Sequence, residues 1–425
     1  MIIMMDNHRR YQTKIIIHNS CRVRSLIYTP SLAFNMRRFF SSFSRNNALV
    51  LNCGSSSVKY QFFENDKSVV RGSIENIGSA NSNCVHKQEK SLSKLSGSDA
   101  SYEGAINLAI SSVAGRGQIF CVGHRVVHGG PNLVEPTLIN PSVLSEIRTC
   151  ASLAPLHNPS NIRGIELCTS LVSSPQIACF DTAFHSQIPL KAYRYAIPAQ
   201  IAENEKIRKY GFHGLSYSYI SSVITESRII VAHLGSGCSA AAIVDGKSID
   251  TTMGFTPMEG LVMSTRAGTI DPGIIFHLLP KHEDLSNILN KQSGLLGLSG
   301  GMTGDMKTLL DMENEGGTNG QIAHDAIEVF VYTVQKYIGQ LMAALEYDVD
   351  AIVFTGGIGE NSAPIRERIV DGMRGTGVAI DSARNKSGDG LISMPNSKIR
   401  LYAVKTNEEL QIARDAIKVA NQSSL

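Results

Sequence analysis

The chain has 425 residues, of which 43% are hydrophobic and 18% charged, and its formal net charge is +3 at pH 7. This composition is ordinary for a globular protein, and the length predicts about two or three domains. Because no stretch approaches the ~18 uninterrupted apolar residues that a membrane helix needs, we predict a soluble protein that acts without a membrane. The eight cysteines form no C-x-x-C pair, which argues against a zinc site.

The first 46 residues differ from the rest of the chain. They carry eight Arg and Lys residues against the single acid Asp6, so the remaining body is mildly acidic and gives no reason to expect nucleic-acid binding. This Arg- and Ser-rich leader is typical of a mitochondrial transit peptide, and we predict targeting by residues 1–46 to the mitochondrial matrix. The alternative is an upstream extension with Met36 as the start, and a leader without a targeting role would leave the protein in the cytoplasm.

The first half of the body begins with a predicted hairpin. An apolar run over 48–51, a Gly/Ser turn and an alternating run over 58–62 follow one another. A third strand is expected near 71–77. The polar, Ser/Lys-rich stretch 78–101 is interpreted as a surface loop.

Two short apolar runs, 119–123 and 176–180, each predict a buried strand that leads into a polar cluster. The clusters begin at His124 and Asp181. In open α/β sheets, ligands gather beyond the carboxyl ends of the strands. Both clusters are therefore candidate parts of a binding site.

The second half repeats this plan. A hairpin over 229–244 turns at the Gly/Ser-rich segment 233–239, and a third strand is expected near 247–250. An apolar stripe predicts a long helix over 321–347. The rest of the half is predicted as a strand over 351–354, a glycine turn over 355–361, a helix opened by Pro364 and a last helix over 408–420.

Two hairpins with glycine- and serine-rich tips indicate a duplicated α/β domain. Glycine lets backbone N–H groups approach an anion closely, and serine hydroxyls add further donors. We therefore predict two halves with a central cleft, in which both tips face a shared ligand such as a polyphosphate.

Eight segments of this body resemble the acetate and propionate kinase family, from about Asn47 to the C-terminus. They are 52–59 (NCGSSSVK), 124–130 (HRVVHGG), 154–159 (APLHNP), 180–185 (FDTAFH), 210–214 (YGFHG), 250–257 (DTTMGFTP), 265–268 (TRAG) and 356–361 (GGIGEN). The resemblance implies the duplicated fold of actin, Hsp70 and sugar kinases (ASKHA, ribonuclease H-like). We expect a first domain of residues 47–195 plus 403–425 and a second of residues 196–402.

The resemblance also implies an activity: reversible, Mg²⁺-dependent transfer of the ATP γ-phosphoryl group to acetate, which gives acetyl phosphate and ADP. A homodimer is implied as well. Two alternatives stay open, namely a kinase for propionate or another short-chain carboxylate, and an inactive nucleotide-binding module. Propionate is longer than acetate by one methylene group, and one methylene in an apolar pocket changes the free energy of substrate discrimination by only about 1–3 kcal/mol.

Site residues follow from the same resemblance. The implied catalytic residues are Arg125, His157, Asp181, His213 and Arg266, and the implied Mg²⁺ ligands are Asn52 and Glu408. The residues expected to contact ATP are Ser55, Ser57, Lys59, His233, Gly235, Ser236, Gly237, Asp305, Met306, Lys307, Gly356, Gly357, Ile358, Gly359 and Asn361. The residues expected to bind the carboxylate substrate are Arg125, Val127, Leu156, Phe212 and Pro257.

Structural roles are the alternatives for several of these residues. Arg125 could form a structural ion pair, and His157 and His213 could be hydrogen-bonded core histidines. The sequence also departs from the usual family pattern. Ser236 stands in place of asparagine, Met306 and Lys307 in place of Phe and Arg, Ser264 in place of glycine, and Leu215 and Tyr217 in place of a small residue and histidine.

Overall fold

The computed structural model describes residues 46–78, 84–88, 91–388 and 390–423, together with a short strand pair near the N-terminus. The rest of the predicted leader lies outside the described residues. In chain order the strands are β1 (Ile15–Ile16), β2 (Ser25–Leu26), β3 (Asn47–Cys53), β4 (Ser57–Glu64), β5 (Lys67–Glu75), β6 (Val85–Gln88), β7 (Ser91–Lys94), β8 (Cys121–Val126), β9 (Thr137–Leu138), β10 (Gln176–Phe180), β11 (Arg228–Leu234), β12 (Cys238–Val244), β13 (Lys247–Thr251), β14 (Ala351–Thr355), β15 (Gly390–Leu391) and β16 (Arg400–Ala403).

Helices cover the sheets and connect them. The α-helices are α1 (Tyr102–Val113), α2 (Pro141–Thr149), α3 (Asn158–Leu171), α4 (Leu190–Tyr193), α5 (Ala199–Asn204), α6 (Gly214–Val223), α7 (Pro272–Leu278), α8 (Leu285–Lys291), α9 (Gly294–Leu298), α10 (Met306–Glu315), α11 (Gly317–Ala344), α12 (Gly356–Asn361), α13 (Ala363–Asp371), α14 (Ser382–Ser387) and α15 (Glu408–Gln422). Short 3₁₀ turns lie at Gly97–Ala100, Cys150–Ser152, Ala183–His185 and Arg374–Thr376.

The two large sheets share one strand plan. The first sheet has the order β7-β6-β5-β4-β3-β8-β10-β9, and the second has the order β13-β12-β11-β14-β16-β15. In each sheet a three-stranded antiparallel meander is followed by two strands parallel to its first strand. The predicted α/β fold with duplicated halves is confirmed.

Strand β3 explains why the first half has two layers of helices. Its residues Ala48, Leu49, Val50 and Leu51 are all fully buried. Leu49 and Leu51 pack in one cluster with α1, while Ala48 and Val50 pack in another with α15. An uninterrupted apolar run is the pattern of a strand that is covered on both faces.

The last helix, α15, packs against the first sheet, although the chain reaches it only after completing the second. Ile412, Ala413 and Ala416 are buried in the first-half core. The packing is close at Gly123 of β8, where a Cβ atom would lie 2.5 Å from the Ile412 side chain. This return brings Glu408, the first residue of α15, to the carboxyl edge of the first sheet.

Helix α6 joins the two cores. Leu215 packs in the first-half core, whereas Tyr217 and Ile220 pack in the second-half core. The residue before the helix, His213, has a left-handed backbone with φ of 57°, which is uncommon outside glycine. The geometry at this junction fixes where the His213 ring points.

Two sequence predictions need correction. The stretch 78–101, expected as a loop, contains the antiparallel pair β6–β7, of which β7 is the edge strand of the first sheet. Backbone pairing holds this strand although all four of its side chains are exposed. The long helix ends at Ala344, before the left-handed residues Glu346 and Tyr347. Among the described residues, no helix combines the length and apolar character that crossing a bilayer requires.

Candidate active site

A polar cavity of about 290 Å³ lies between the two halves. It is lined by Asn52, Cys53, Gly54, Ser57, Lys59, Arg125, Val127, His157, Asn161, Asp181, Phe212, His213, Pro257 and Arg266. All of these except Cys53, Gly54 and Asn161 are predicted site residues, and they include all five predicted catalytic residues.

The register of the first sheet places three of these residues at one edge. Leu51 of β3 pairs with His124 of β8, so Asn52 and Arg125, one residue further, lie side by side. Asp181 directly follows β10, which runs parallel to β8. The carboxyl ends of parallel strands meet at this edge, where ligands bind in such sheets.

Arg125 holds two carboxylates that come from distant parts of the chain. Its Nε and Nη2 donate to the two Asp181 oxygens at 3.1 and 2.7 Å, and its Nη1 lies 3.6 Å from Glu408 Oε2. Burial opposes the charge on Arg125, but the two carboxylates outweigh it and raise the arginine pKa. Burial raises the pKa of Glu408 to about 7, against the lowering effect of Arg125. The positive charge of Arg125 is therefore already balanced by carboxylates of the protein.

The predicted Mg²⁺ ligands fit such an ion by their chemistry. The predicted amide oxygen of Asn52 and carboxylate of Glu408 are hard oxygen ligands, and the nearby Asp181 carboxylate adds another of the same kind. The described residues contain no group of three or more His, Cys, Asp or Glu side chains arranged to hold a metal.

Arg266, on the opposite side, has a different environment. Its Nη1 donates to the Pro257 carbonyl at 2.7 Å. Within the described part of the chain no carboxylate lies at ion-pair distance from it. Burial lowers the pKa of Arg266 from its ordinary value, although an arginine stays protonated at neutral pH. A largely buried cation without an anionic partner is costly unless a ligand supplies the anion.

Two predicted catalytic histidines face the cavity in the neutral state. Burial and then the nearby His233, Arg125 and Arg266 lower the pKa of His213 well below its ordinary value. Burial and then the same two arginines also lower the pKa of His157. The His213 ring stacks on that of His233 with centroids 4.2 Å apart. Each neutral imidazole can donate one hydrogen bond and accept one.

The two predicted glycine turns of the second half lie together. A Cβ atom on Gly235 would be 3.6 Å from the Gly357 nitrogen, and one on Gly237 would be 3.2 Å from His213 Nε2. The Thr355 hydroxyl, just before the second turn, is buried without a hydrogen-bond partner among the described residues. Thr355 opens the glycine turn 355–361 that the sequence predicts, and its buried hydroxyl without a described partner marks it as a candidate ligand contact.

Other predicted nucleotide residues occupy separate positions. Ile358 packs against the second-half core, Gly359 lies against the backbone of β14, and exposed Asn361 donates to the Gly357 carbonyl at 2.8 Å. His233 is buried, and its Nδ1 is 2.9 Å from the Ser216 hydroxyl. Ser236 accepts at its carbonyl from the Ser264 N–H at 3.1 Å.

Further predicted contacts also do not line the cavity. Leu156 is 50% exposed and is not among the lining residues, and Ser55 is exposed at the tip of its turn. Met306 is buried in the second-half core, so only Asp305 and Lys307 of that segment are exposed. Asp305 caps α10 by accepting from the Thr308 N–H at 2.9 Å.

Asn161 is the lining residue that sequence reasoning missed most clearly. Its Oδ1 accepts from the Val127 N–H at 3.1 Å, and its Nδ2 donates to the Cys53 carbonyl at 2.8 Å. It therefore ties together the carboxyl ends of β3 and β8. Its spacing of four residues from His157, at the start of a helix, is the signal that could have identified it, because such residues share a helix face.

Known proteins match nearly the whole body of the chain. The sequence model of the Acetokinase family matches residues 47–414. The acetate kinase of Acetivibrio thermocellus is 41% identical over 399 residues, which cover 88% of this chain and 99% of that protein. The acetate kinase of Thermoanaerobacterium thermosaccharolyticum is 44% identical over 396 residues, which cover 87% of this chain and 98% of that protein.

Solved structures agree with these matches. A propionate kinase from Francisella tularensis superimposes with a TM-score of 0.82 at 40% identity, covering 88% of this chain and 100% of that one. An acetate kinase from Porphyromonas gingivalis gives a TM-score of 0.80 at 35% identity, covering 88% and 99%. These four proteins are bacterial, so they give no support to the predicted mitochondrial location.

Proposed function

Because the chain belongs to the Acetokinase family, we propose that it transfers the γ-phosphoryl group of ATP reversibly to acetate, giving acetyl phosphate and ADP. The chain is a phosphotransferase with a carboxyl group as acceptor. One observation carries the detailed proposal: Arg266 is a largely buried cation without a described carboxylate partner, and it lines the same cavity as the balanced Arg125–Asp181–Glu408 group.

The reaction joins two anions, which repel each other unless positive charge surrounds them. An acetate oxygen attacks the γ-phosphorus while the bond from that phosphorus to the bridging oxygen of ADP breaks, so no covalent enzyme intermediate forms. Charge spreads over the phosphoryl oxygens during this transfer, and catalysis depends mainly on positioning and electrostatics. Arg266 and Arg125 would supply fixed guanidinium donors for these oxygens and for the acetate carboxylate.

Neutral donors and apolar groups complete the proposed site. His213 and His157 would donate hydrogen bonds to oxygens of the transferring group. Val127, Phe212 and Pro257 give the cavity an apolar part for the acetate methyl group. The turns at Gly235–Gly237 and Gly356–Gly359 would bind the phosphates and flank the adenosine through backbone N–H groups.

Mg²⁺ would be held by Asn52, Asp181 and Glu408. When bound, this ion neutralises charge on the ATP phosphates. The three side chains come from the ends of β3 and β10 and from the start of α15, so the ion would also tie the last helix to the first sheet.

The direct test is acyl-hydroxamate formation by the full chain with ATP and Mg²⁺, using acetate, propionate and butyrate in parallel. We expect product with acetate and a lower kcat/KM for the longer acids. Measurable ATP binding with no product from any carboxylate would overturn the proposal and favour an inactive nucleotide-binding module.

Propionate is the second candidate substrate. A propionate kinase is among the similar structures, and Val127, Phe212 and Pro257 are the apolar side chains that line the cavity here. A higher kcat/KM for propionate than for acetate in the same assay would support the same phosphoryl transfer with propionate as the preferred substrate.

We also propose a homodimer that buries the exposed apolar side chains of α7 and the residue after it. Phe276 is 73% exposed and Leu279 is 59% exposed, and isolated patches of large apolar groups often mark protein interfaces. Light scattering should give twice the 46.0 kDa mass of the chain, and Phe276→Asp should weaken the association. A monomeric wild-type protein at micromolar concentration would contradict this.

A further inference from the structure

A short chain of hydroxyl groups ends at the His213 ring. Tyr217 on α6 and Ser239 on β12 are both fully buried. The Tyr217 hydroxyl lies 2.5 Å from Ser239 Oγ, and Ser239 Oγ lies 2.8 Å from His213 Nδ1. Both distances are those of hydrogen bonds.

Counting protons gives these bonds a direction. Among the described residues, Ser239 is the one hydrogen-bond partner of the Tyr217 hydroxyl, so the buried phenol satisfies its proton only by donating to Ser239 Oγ. Ser239 then donates its own proton to the remaining acceptor, His213 Nδ1. The opposite direction would leave a buried hydroxyl proton without an acceptor, which is costly.

We propose that Tyr217 and Ser239 are positioning residues that fix His213 in the tautomer with its proton on Nε2. This assigns the ring nitrogen that faces the cavity as a hydrogen-bond donor. The catalytic consequence, donation to a phosphoryl or carboxylate oxygen, rests on the proposed function, whereas the tautomer itself does not.

The surroundings of Nε2 fit a donor that serves a ligand. A Cβ atom on Gly237 would lie 3.2 Å from Nε2 and 3.4 Å from Nη2 of Arg266, so the two nitrogens point toward the same turn. The described residues give Nε2 no hydrogen-bond acceptor of their own. Burial and nearby cations keep the ring neutral by lowering its pKa, and a neutral ring has only one N–H to place.

The test reads the tautomer by long-range ¹H–¹⁵N correlation on the full chain labelled with ¹⁵N-histidine. The His213 signals are identified by their loss in His213→Gln. In the wild type we expect Nδ1 to be unprotonated and Nε2 protonated. Ser239→Ala removes the donor to Nδ1, and Tyr217→Phe frees Ser239 to accept from it, so both variants should show a mixture of tautomers.

Kinetics give the second readout. Ser239→Ala should lower kcat by roughly three- to tenfold with little change in the KM for ATP, and Tyr217→Phe should lower it less. Tyr402→Phe is the matched control, because Tyr402 packs against the same core as Tyr217 but donates to Glu226 at 2.6 Å instead. This control should change neither the tautomer nor kcat.

The outcomes separate this inference from the proposed function. A wild-type His213 protonated at Nδ1, or an unchanged tautomer in both Ser239→Ala and Tyr217→Phe, would overturn the inference whatever the activity. A protein with the Nε2–H tautomer but no kinase activity would support the role of Tyr217 and Ser239 while contradicting the proposed function.

Discussion

The two halves of the molecule share a strand arrangement, but the arginine that each contributes to the cavity differs in whether it has a carboxylate partner. In the first half, Arg125 is paired with Asp181 and reaches Glu408, so its charge is balanced within the protein. On the second-half side of the cavity, the turn at Gly237 lies close to Arg266, which has no carboxylate partner in the described structure. The two halves therefore share their strand arrangement but differ in the residues at the ends of the strands.

This difference has an energetic meaning. Breaking a buried ion pair leaves an uncompensated charge and is strongly destabilising, whereas removing a buried charge that has no partner relieves a desolvation cost. Arg125 therefore contributes to stability as well as to the site. We expect Arg266 to contribute to ligand binding and turnover alone.

The largest expected effect follows from removing the unpaired charge. Arg266→Ala should lower kcat by about 10²–10³ or more, because a preorganised donor to the transferring group is lost, while ATP binding measured by calorimetry persists. Arg368→Ala, which removes a second-half arginine paired with Glu313, is the control and should keep normal turnover. Near-normal turnover of Arg266→Ala would contradict the proposed role of Arg266 in phosphoryl transfer.

Removing the paired charge should act on stability. Arg125→Met leaves Asp181, which is 2% exposed, without its partner, and should lower the free energy of unfolding by about 3–5 kcal/mol. Urea denaturation at pH 7.5 measures this. The double variant Arg125→Met/Asp181→Asn should recover part of the loss, and an unchanged free energy in the single variant would refute the balanced-charge account.

The apolar end of the cavity can be probed with one truncation. Val127 lines the cavity, and Val127→Ala should raise the ratio of kcat/KM for propionate to that for acetate, by up to the 10–200-fold that one methylene is worth, about 1–3 kcal/mol. Competition between the two acids in the hydroxamate assay gives the ratio. If the ratio does not rise, Val127 does not limit the size of the substrate.

A smaller effect distinguishes the two glycine turns. Gly237→Ala would place a methyl group between His213 and Arg266, and should lower kcat by about tenfold through misplacement of these donors. At Gly357 a Cβ atom would meet no protein atom within 4 Å, so Gly357→Ala should leave stability near normal and raise the KM for ATP, with a smaller loss of kcat than Gly237→Ala. Equal losses of kcat in both variants would contradict the view that only the turn at Gly237 positions His213 and Arg266.

Local patterns were enough to predict the duplicated hairpins and the candidate residues at strand ends. The rule that ligands gather at the carboxyl ends of parallel strands predicts a site at the clusters that begin at His124 and Asp181, and Arg125 and Asp181 of these clusters line the cavity. The pairing of Arg125 with Glu408 could not be seen from the residues alone, since it depends on α15 returning to the first sheet.

Other features depend on contacts that leave no periodic signal. Asn161 acts by bonding two backbone groups, of Val127 and Cys53, and backbone partners are invisible in a sequence. The strands β6 and β7 have few apolar side chains, so edge pairing rather than burial decides their structure. Met306 sits on the buried face of α10, and that face is defined only by the neighbouring helices.

The most direct measurement is the free energy of unfolding of the wild type and Arg266→Met, each with and without saturating inorganic phosphate. Without phosphate, the variant should lie within about 1 kcal/mol of the wild type or above it, because only the bond to Pro257 is lost. With phosphate at about 100 times its Kd, the wild type should gain about 2.7 kcal/mol and the variant much less. A variant several kcal/mol less stable in the absence of phosphate would contradict the claim that Arg266 is held for a ligand anion.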